Sequence, residues 1–105
     1  MKHLTVYASF PGIKLSLQPA QKNWYSCHLS TAEAAIVGDR LGQSLALHQH
    51  FHLQLSAGRS LAFEARGSCI RLILTGCRGR RYGVDVANED IPRLCYEFRS
   101  ECVEK

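Results

Sequence analysis

The stretch Ile13-Lys14-Leu15-Ser16-Leu17 decides the fold, because Ile70-Arg71-Leu72-Ile73-Leu74 repeats its apolar pattern 57 positions later. The same offset places apolar positions on apolar positions through a further strand and a helix. These positions are Tyr25, Cys27, Leu29, Ala34, Val37, Leu41 and Leu45 in the first half, and Tyr82, Val84, Val86, Ile91, Leu94, Phe98 and Cys102 in the second. A fixed offset held across two periodicities is typical of one supersecondary unit used twice. We therefore predict a single domain over 1–105, built of two repeats at about 1–48 and 49–105 and related by a pseudo-twofold axis.

Local periodicity predicts the elements of each unit. Segments that alternate between apolar and polar residues begin near Leu4, Ile13 and Tyr25, which predicts three strands in the first unit. The second unit adds a strand around Phe51 and so has four. Apolar residues spaced three and four apart then predict one helix at the end of each unit. We expect an α+β fold of order βββα–ββββα, with an antiparallel sheet and two helices packed on one face.

The predicted helices carry local signals. The segment Ser30-Thr31-Ala32-Glu33 has the spacing of a capping box, in which a hydroxyl and a carboxylate satisfy free donors at a helix end. Asn88 is expected to cap the second helix. Gly38 and Gly42 lower the propensity of the first helix but allow it to approach a sheet closely.

Length and composition place the chain among ordinary globular proteins. A chain of 105 residues supports one domain with a core of moderate size. It contains no apolar run of roughly 20 residues that would span a bilayer, and its start lacks the apolar region of a signal peptide. Five cysteines without a Cys-x-x-Cys spacing indicate reduced thiols, and those on apolar stripes are expected to be buried. We therefore expect a cytoplasmic protein without a cofactor.

Charge is distributed unevenly along the second unit. The formal net charge of the chain is +4. Residues 58–84 contain six arginines against Glu64 alone, which gives this segment a net charge of +5. Residues 85–105 have a net charge of −3. Segregation of this kind predicts an electrostatic field directed from one face of the molecule.

Two hairpin ends related by the 57-residue offset combine cations with aromatic rings. One reads Lys22-Asn23-Trp24-Tyr25, and the other reads Arg78-Gly79-Arg80-Arg81-Tyr82. Lys and Arg neutralise phosphates while rings stack on bases, so this combination favours binding to single-stranded nucleic acid. The solvated loop of an ordinary globular protein is the other interpretation of these residues. The predicted nucleic-acid contacts are Lys14, Lys22, Trp24, Arg71, Arg78, Arg80 and Arg81.

The same exposed aromatic residues are also typical of a protein interface. Strand parity directs Tyr7, Trp24 and His28 outward from the first unit, and exposed aromatic residues mark interfaces. The alternative function is therefore a protein-interaction module, such as a regulator, adaptor or inhibitor of a larger complex, of the kind that phages or plasmids encode. In either case we expect a homodimer.

The sequence offers little support for catalysis or for a metal centre. It has no Gly-rich phosphate loop, no nucleophile elbow and no His-Glu-x-x-His motif, so we expect a protein that is not an enzyme. His50 and His52 would project from one face of a strand and are weak metal candidates, but no further ligand lies nearby in the sequence. Solvated histidines on a sheet edge are the favoured interpretation. Cys69 and Cys77 are expected to be more exposed than the other cysteines, and their reactivity stays open.

The repeated, strand-rich unit closed by one helix resembles the layout of the Whirly and PUR-repeat binders of single-stranded nucleic acid. Those families are described as two ββββα units related by a pseudo-twofold axis. The resemblance covers only the order of elements, and the first unit of this chain has one strand fewer. It implies a non-enzymatic protein that binds single-stranded nucleic acid.

Overall fold

Two antiparallel sheets and two helices form the fold in a computed structural model, which describes residues 4–8, 12–19 and 23–100. Lys22, Cys102 and the side chain of Tyr7 lie outside this description. The predicted α+β class and the order βββα–ββββα are confirmed. The strands form two hydrogen-bonded sheets rather than one. No helix in the described part of the chain is both long and apolar enough to span a bilayer.

The first unit is a three-stranded meander followed by a helix. Its strands β1 (Leu4–Ala8), β2 (Ile13–Leu17) and β3 (Tyr25–Leu29) pair in sequence order. Helix α1 (Thr31–Leu47) follows after one residue, Ser30. The capping box is confirmed, since the Ser30 hydroxyl accepts the Glu33 amide at 3.1 Å while Glu33 accepts the Ser30 amide at 2.9 Å.

The second unit is a four-stranded meander followed by a shorter helix. Its elements, in chain order, are β4 (Phe51–Gln54), β5 (Ser60–Ala65), β6 (Cys69–Thr75), β7 (Arg81–Ala87) and α2 (Ile91–Ser100). Short 3₁₀ turns precede β5 and α2. The prediction that Asn88 caps α2 is wrong. Its side-chain amide instead donates to the Gly67 carbonyl at 2.6 Å, which ties the β5–β6 turn to the end of β7.

One apolar cluster joins the two units. It contains inward-facing residues of both sheets and both helices, among them Ile13, Leu15, Leu41, Phe63, Leu72, Leu94 and Phe98. Cys27 and Cys95 are buried in this cluster, as predicted for thiols on apolar stripes, and burial raises the pKa of each. Both sheets therefore turn one face to the core and the other face outward.

The two helices pack against each other at a glycine. A Cβ atom built on Gly38 would lie 3.2 Å from the Phe98 Cβ and 3.4 Å from the Cys95 carbonyl oxygen. One built on Gly42 would lie 3.8 Å from the Cys95 sulfur. The glycines therefore permit close approach of α1 to α2 rather than to a sheet, which corrects the expectation from the sequence.

Side chains, and not strand pairing, link the sheets. Across the described residues, no backbone-to-backbone hydrogen bond runs between 4–48 and 49–100. The Arg59 guanidinium donates to the His28 carbonyl at 3.0 Å, and the Glu33 carboxylate accepts the Ser56 amide at 2.7 Å. These two contacts fix the entry into β5 against the end of β3.

A candidate nucleic-acid interface at the hairpin ends

Two stacked tyrosines hold the ends of the β2–β3 and β6–β7 hairpins together. The rings of Tyr25 and Tyr82 are nearly parallel, with an interplanar angle of 7° and centroids 4.0 Å apart. Both rings are half-buried against the core, as strand parity predicts. The Tyr25 hydroxyl lies 3.1 Å from where a Cβ on Gly76 would be, so the backbone of the second hairpin passes close to the hydroxyl end of this ring. Burial, with the neighbouring Cys27 and Tyr82, raises the pKa of Tyr25.

The β6–β7 hairpin end is a tight loop open to solvent. The Gly76 amide donates to the Arg80 carbonyl at 2.8 Å, and the Gly79 amide donates to the Gly76 carbonyl at 2.9 Å. Gly79 has a φ of +86°, and no described atom outside its chain neighbours lies within 4 Å of a Cβ built on it. Arg78, Arg80 and Arg81 are all exposed at this end.

Trp24 belongs to the same end of the molecule. It directly precedes Tyr25 in the chain, and its indole is 46% exposed. The Tyr25–Tyr82 stack therefore places the segment that contains this exposed indole at the same end of the molecule as the loop with the three exposed arginines. Lys22, the other predicted contact of the first hairpin end, lies outside the described residues.

The six arginines of residues 58–84 separate into two groups. Arg59, Arg66 and Arg71 each donate a hydrogen bond to a carbonyl or a carboxylate of this chain. No carboxylate among the described residues forms an ion pair with the three arginines of the hairpin end. Among the described arginines of residues 58–84, Arg78, Arg80 and Arg81 therefore keep their guanidinium groups free of a carboxylate partner at the hairpin end.

Arg71 lies on the outward face of the four-stranded sheet and not at the hairpin end. Its Nε donates to Asp85 Oδ1 at 2.8 Å and its Nη2 donates to Oδ2 at 3.1 Å, a two-point contact between paired strands. The Arg71 guanidinium lowers the pKa of Asp85. Nearby, Arg66 contacts Glu64 at 2.6 Å. These charges form a cross-strand network on this face.

Lys14 and His28 lie on the other sheet, away from the hairpin ends. They pair with each other across β2 and β3, three positions from the Leu17–Tyr25 pair. At the usual rise of a strand this is about 10 Å. Lys14 is half-buried, and His28 is exposed. The structure thus brings the segment that contains Trp24 to the same end as the β6–β7 loop, and it leaves Lys14, His28 and Arg71 away from that end.

A shallow depression on the four-stranded sheet is a feature that the sequence-based prediction missed. It has a volume of about 360 Å³ and is lined by Glu64, Arg66, Arg71, Ile73, Arg81 and Gly83. A glycine inside a strand is the available signal, because such a glycine often marks close approach of a ligand or of another backbone. Gly83 lies in the middle of β7.

The histidines and thiols form no comparable group. His50 Nε2 lies 3.3 Å from the Ala65 carbonyl oxygen, and His52 is exposed on β4. Within the described ranges, no three His, Cys, Asp or Glu side chains are grouped to hold a metal ion. Cys77 is exposed and Cys69 is half-buried, and both are free thiols.

Comparison with known proteins assigns no family. No protein-family model matches the chain, and no curated protein matches it. We therefore argue function from the geometry of the hairpin ends and of the sheet beside them.

Proposed function

We propose that this protein is a non-enzymatic binder of single-stranded nucleic acid that makes contact through its joined hairpin ends. The observation that carries the proposal is the Tyr25–Tyr82 stack, which brings the segment that contains Trp24 to the loop that contains the unpaired arginines. In this arrangement Arg78, Arg80 and Arg81 bind phosphates, and the indole stacks on a base.

Single strands fit this surface better than duplexes. An indole stacks only on a base whose face is free, and the bases of a duplex already stack on one another. Arginine contacts to phosphate and stacking on an indole are both tolerant of base identity. We therefore expect weak sequence preference and a strong dependence of affinity on salt.

The test is fluorescence anisotropy with a labelled oligothymidylate and with a duplex of equal length. We compare Arg78→Ala/Arg80→Ala with the control Arg40→Ala/Arg93→Ala, which removes the same charge from the helix surfaces. Each lost phosphate contact lowers the slope of log affinity against log salt by about 0.7 for a single strand. The hairpin variant is therefore expected to lose about 1.4 from this slope, while the control variant keeps the wild-type slope.

A Trp24→Ala variant tests the stacking contact independently in the same experiment. Loss of one base–aromatic stack costs about 1–3 kcal/mol, so Trp24→Ala is expected to weaken binding by at least about fivefold. Absence of wild-type binding at low salt, or equal losses in the hairpin variant and the control variant, would overturn the proposal.

A protein-interaction module is a second candidate, favoured by exposed apolar residues on the helices. Ile36 and Leu47 of α1 are 48% and 57% exposed and lie three turns apart on one side of the helix, and Tyr96 of α2 is 66% exposed. These residues are suited to a second copy of the chain, giving a homodimer, or to a larger complex that the protein regulates. Light scattering during size-exclusion chromatography separates the two candidates by the increase in mass on adding oligonucleotide, which only the nucleic-acid binder is expected to show. For either candidate we propose a cytoplasmic location, which is in keeping with free thiols at Cys69 and Cys77.

A further inference from the structure

The outward face of the four-stranded sheet contains a trough between arginines. Strand register places Gly83 beside Ile73, and Ile73 beside Ala62, in one row across the sheet. The next outward pair on one side of this row is Arg81 with Thr75, and on the other side it is Arg71 with Asp85, next to Glu64. The row itself bears short or apolar side chains, so it forms the floor of the depression described above.

The walls of the trough are suited to an anion. Three arginines and one glutamate line it, so the lining has an excess of positive charge. Arg81 has no carboxylate partner among the described residues. Arg71 uses Nε and Nη2 on Asp85, and Arg66 uses Nη2 on Glu64, which leaves further N–H donors of both guanidinium groups for an incoming phosphate.

The glycine in the floor is not required by the backbone. Gly83 does not have a positive φ, whereas Gly12, Gly58, Gly67 and Gly79 do. A Cβ built on Gly83 would meet the Leu72 carbonyl oxygen at 3.7 Å and the Ile73 Cγ1 at 3.8 Å, both ordinary contacts. Glycine lowers strand stability, so the fold alone gives no reason for it at this position. Its effect is to keep the floor flat and open.

We infer that this trough holds one nucleotide of the strand that binds the hairpin ends, an inference that rests on the proposed function. The base lies on the floor of Ile73 and Gly83, and the flanking phosphates contact Arg81 on one side and Arg71 on the other. Arg81 directly follows the hairpin loop, so a strand that leaves Trp24 and the loop arginines reaches the trough without a gap in the basic surface. The bound ligand is thus a single strand several nucleotides long.

The experiment fills the trough without removing a charge. Gly83→Val places a strand-favouring side chain on the floor, and Gly83→Ala places a smaller one. Ala87→Val adds similar bulk on the same strand and the same face, beyond the residues that line the trough. Affinity for an oligothymidylate of about twelve nucleotides is measured by anisotropy, and folding is checked by thermal unfolding.

We expect Gly83→Val to bind about tenfold more weakly than wild type, Gly83→Ala to be intermediate, and Ala87→Val to be unchanged. Gly83→Ala keeps the test valid if the valine variant does not fold. Equal affinity of wild type, Gly83→Val and Gly83→Ala would overturn the inference that the trough holds a nucleotide. The proposed function would remain intact. A wild-type protein that binds no oligonucleotide would overturn both.

Discussion

At the scale of single residues, Gly12 shows how one backbone position constrains the sequence. Its φ is +116°, and a Cβ built on it would clash with the Leu29 carbonyl oxygen at the end of β3. The chain therefore enters β2 over the backbone of β3 with no space for a side chain. Gly67, in the β5–β6 turn, has a φ of +83° but nothing within 4 Å of a built Cβ.

This contrast yields a prediction for two glycine-to-alanine variants. Gly67→Ala meets only the conformational cost of a positive φ and is expected to lower the free energy of unfolding by about 1 kcal/mol. Gly12→Ala adds a backbone clash and is expected to cost at least about 3 kcal/mol. Urea denaturation of both variants measures the difference. Equal losses would show that the contact between Gly12 and Leu29 is not tight.

Predictions from the sequence succeeded at single residues where the partner is local. The Ser30–Glu33 capping box was recognisable because both partners lie within one helical turn. Asn88 was misassigned because its partner, Gly67, is 21 residues away and is chosen by the packing of a turn. The two-point contact of Arg71 with Asp85 likewise depends on a strand register that composition does not reveal.

At the scale of elements, the contact between α1 and α2 depends on two glycines in different surroundings. Gly38 faces Phe98 at a distance that leaves little room for a methyl group, whereas Gly42 faces the sulfur of Cys95 at an ordinary distance. Both glycines lie inside a helix, where alanine is intrinsically preferred. The two positions therefore separate helix propensity from packing.

We predict that Gly42→Ala raises the free energy of unfolding by about 0.5–1 kcal/mol, because it gains helix propensity without a clash. Gly38→Ala gains the same propensity but must displace α2, so it is expected to be at least about 1 kcal/mol less stable than Gly42→Ala. Thermal and urea unfolding of the two variants provide the comparison. Stabilisation of equal size at both positions would contradict close packing at Gly38.

The order of elements could be predicted because each periodicity is contained in a few consecutive residues. Alternation predicted the seven strands, and spacings of three and four predicted the two helices. The division into two sheets could not be predicted in this way. It depends on whether strands of different units share backbone hydrogen bonds, which is a matter of tertiary packing.

At the scale of the whole molecule, ionisable groups limit stability on both sides of neutral pH. The Arg71 guanidinium lowers the pKa of Asp85. Burial opposes ionisation of Glu33, yet hydrogen bonds from Ser30 and Ser56 lower the pKa of its carboxyl group. Both groups bind protons more weakly in the native state than in the unfolded state. Their contribution to stability is therefore complete above the unfolded pKa and is lost as the pH falls through the native value.

Buried thiols affect the stability of the native state at alkaline pH. Burial raises the pKa of Cys27 and Cys95, so the native state keeps their protons at a pH where the unfolded chain releases them. The free energy of unfolding is thus expected to be nearly constant from about pH 5 to 8, to fall below that range, and to fall again above about pH 9. Urea unfolding across this range measures the profile. Glu33→Gln is expected to reduce the loss of stability at acid pH. The control is Glu97→Gln, which removes a surface carboxylate of α2.

The candidate site could be predicted only in part from the same charges. The arginine count shows that residues 58–84 are basic, and the 57-residue offset pairs Trp24 with the basic loop. Neither observation distinguishes Arg59, whose guanidinium holds the two units together, from Arg78, which is exposed. That distinction requires knowledge of which carbonyls and carboxylates lie within reach.

The described parts of the two sheets share no backbone hydrogen bonds, and this affects how the protein responds to cleavage of its backbone. The seam consists of packed apolar side chains, the stacked tyrosines and contacts such as the one from Arg59 to His28. The seam therefore uses the same kinds of side-chain contact that hold separate subunits together. A cut in the link between α1 and β4 would interrupt no strand ladder. Such a cut would turn the docking of the two halves into a bimolecular association whose extent depends on protein concentration.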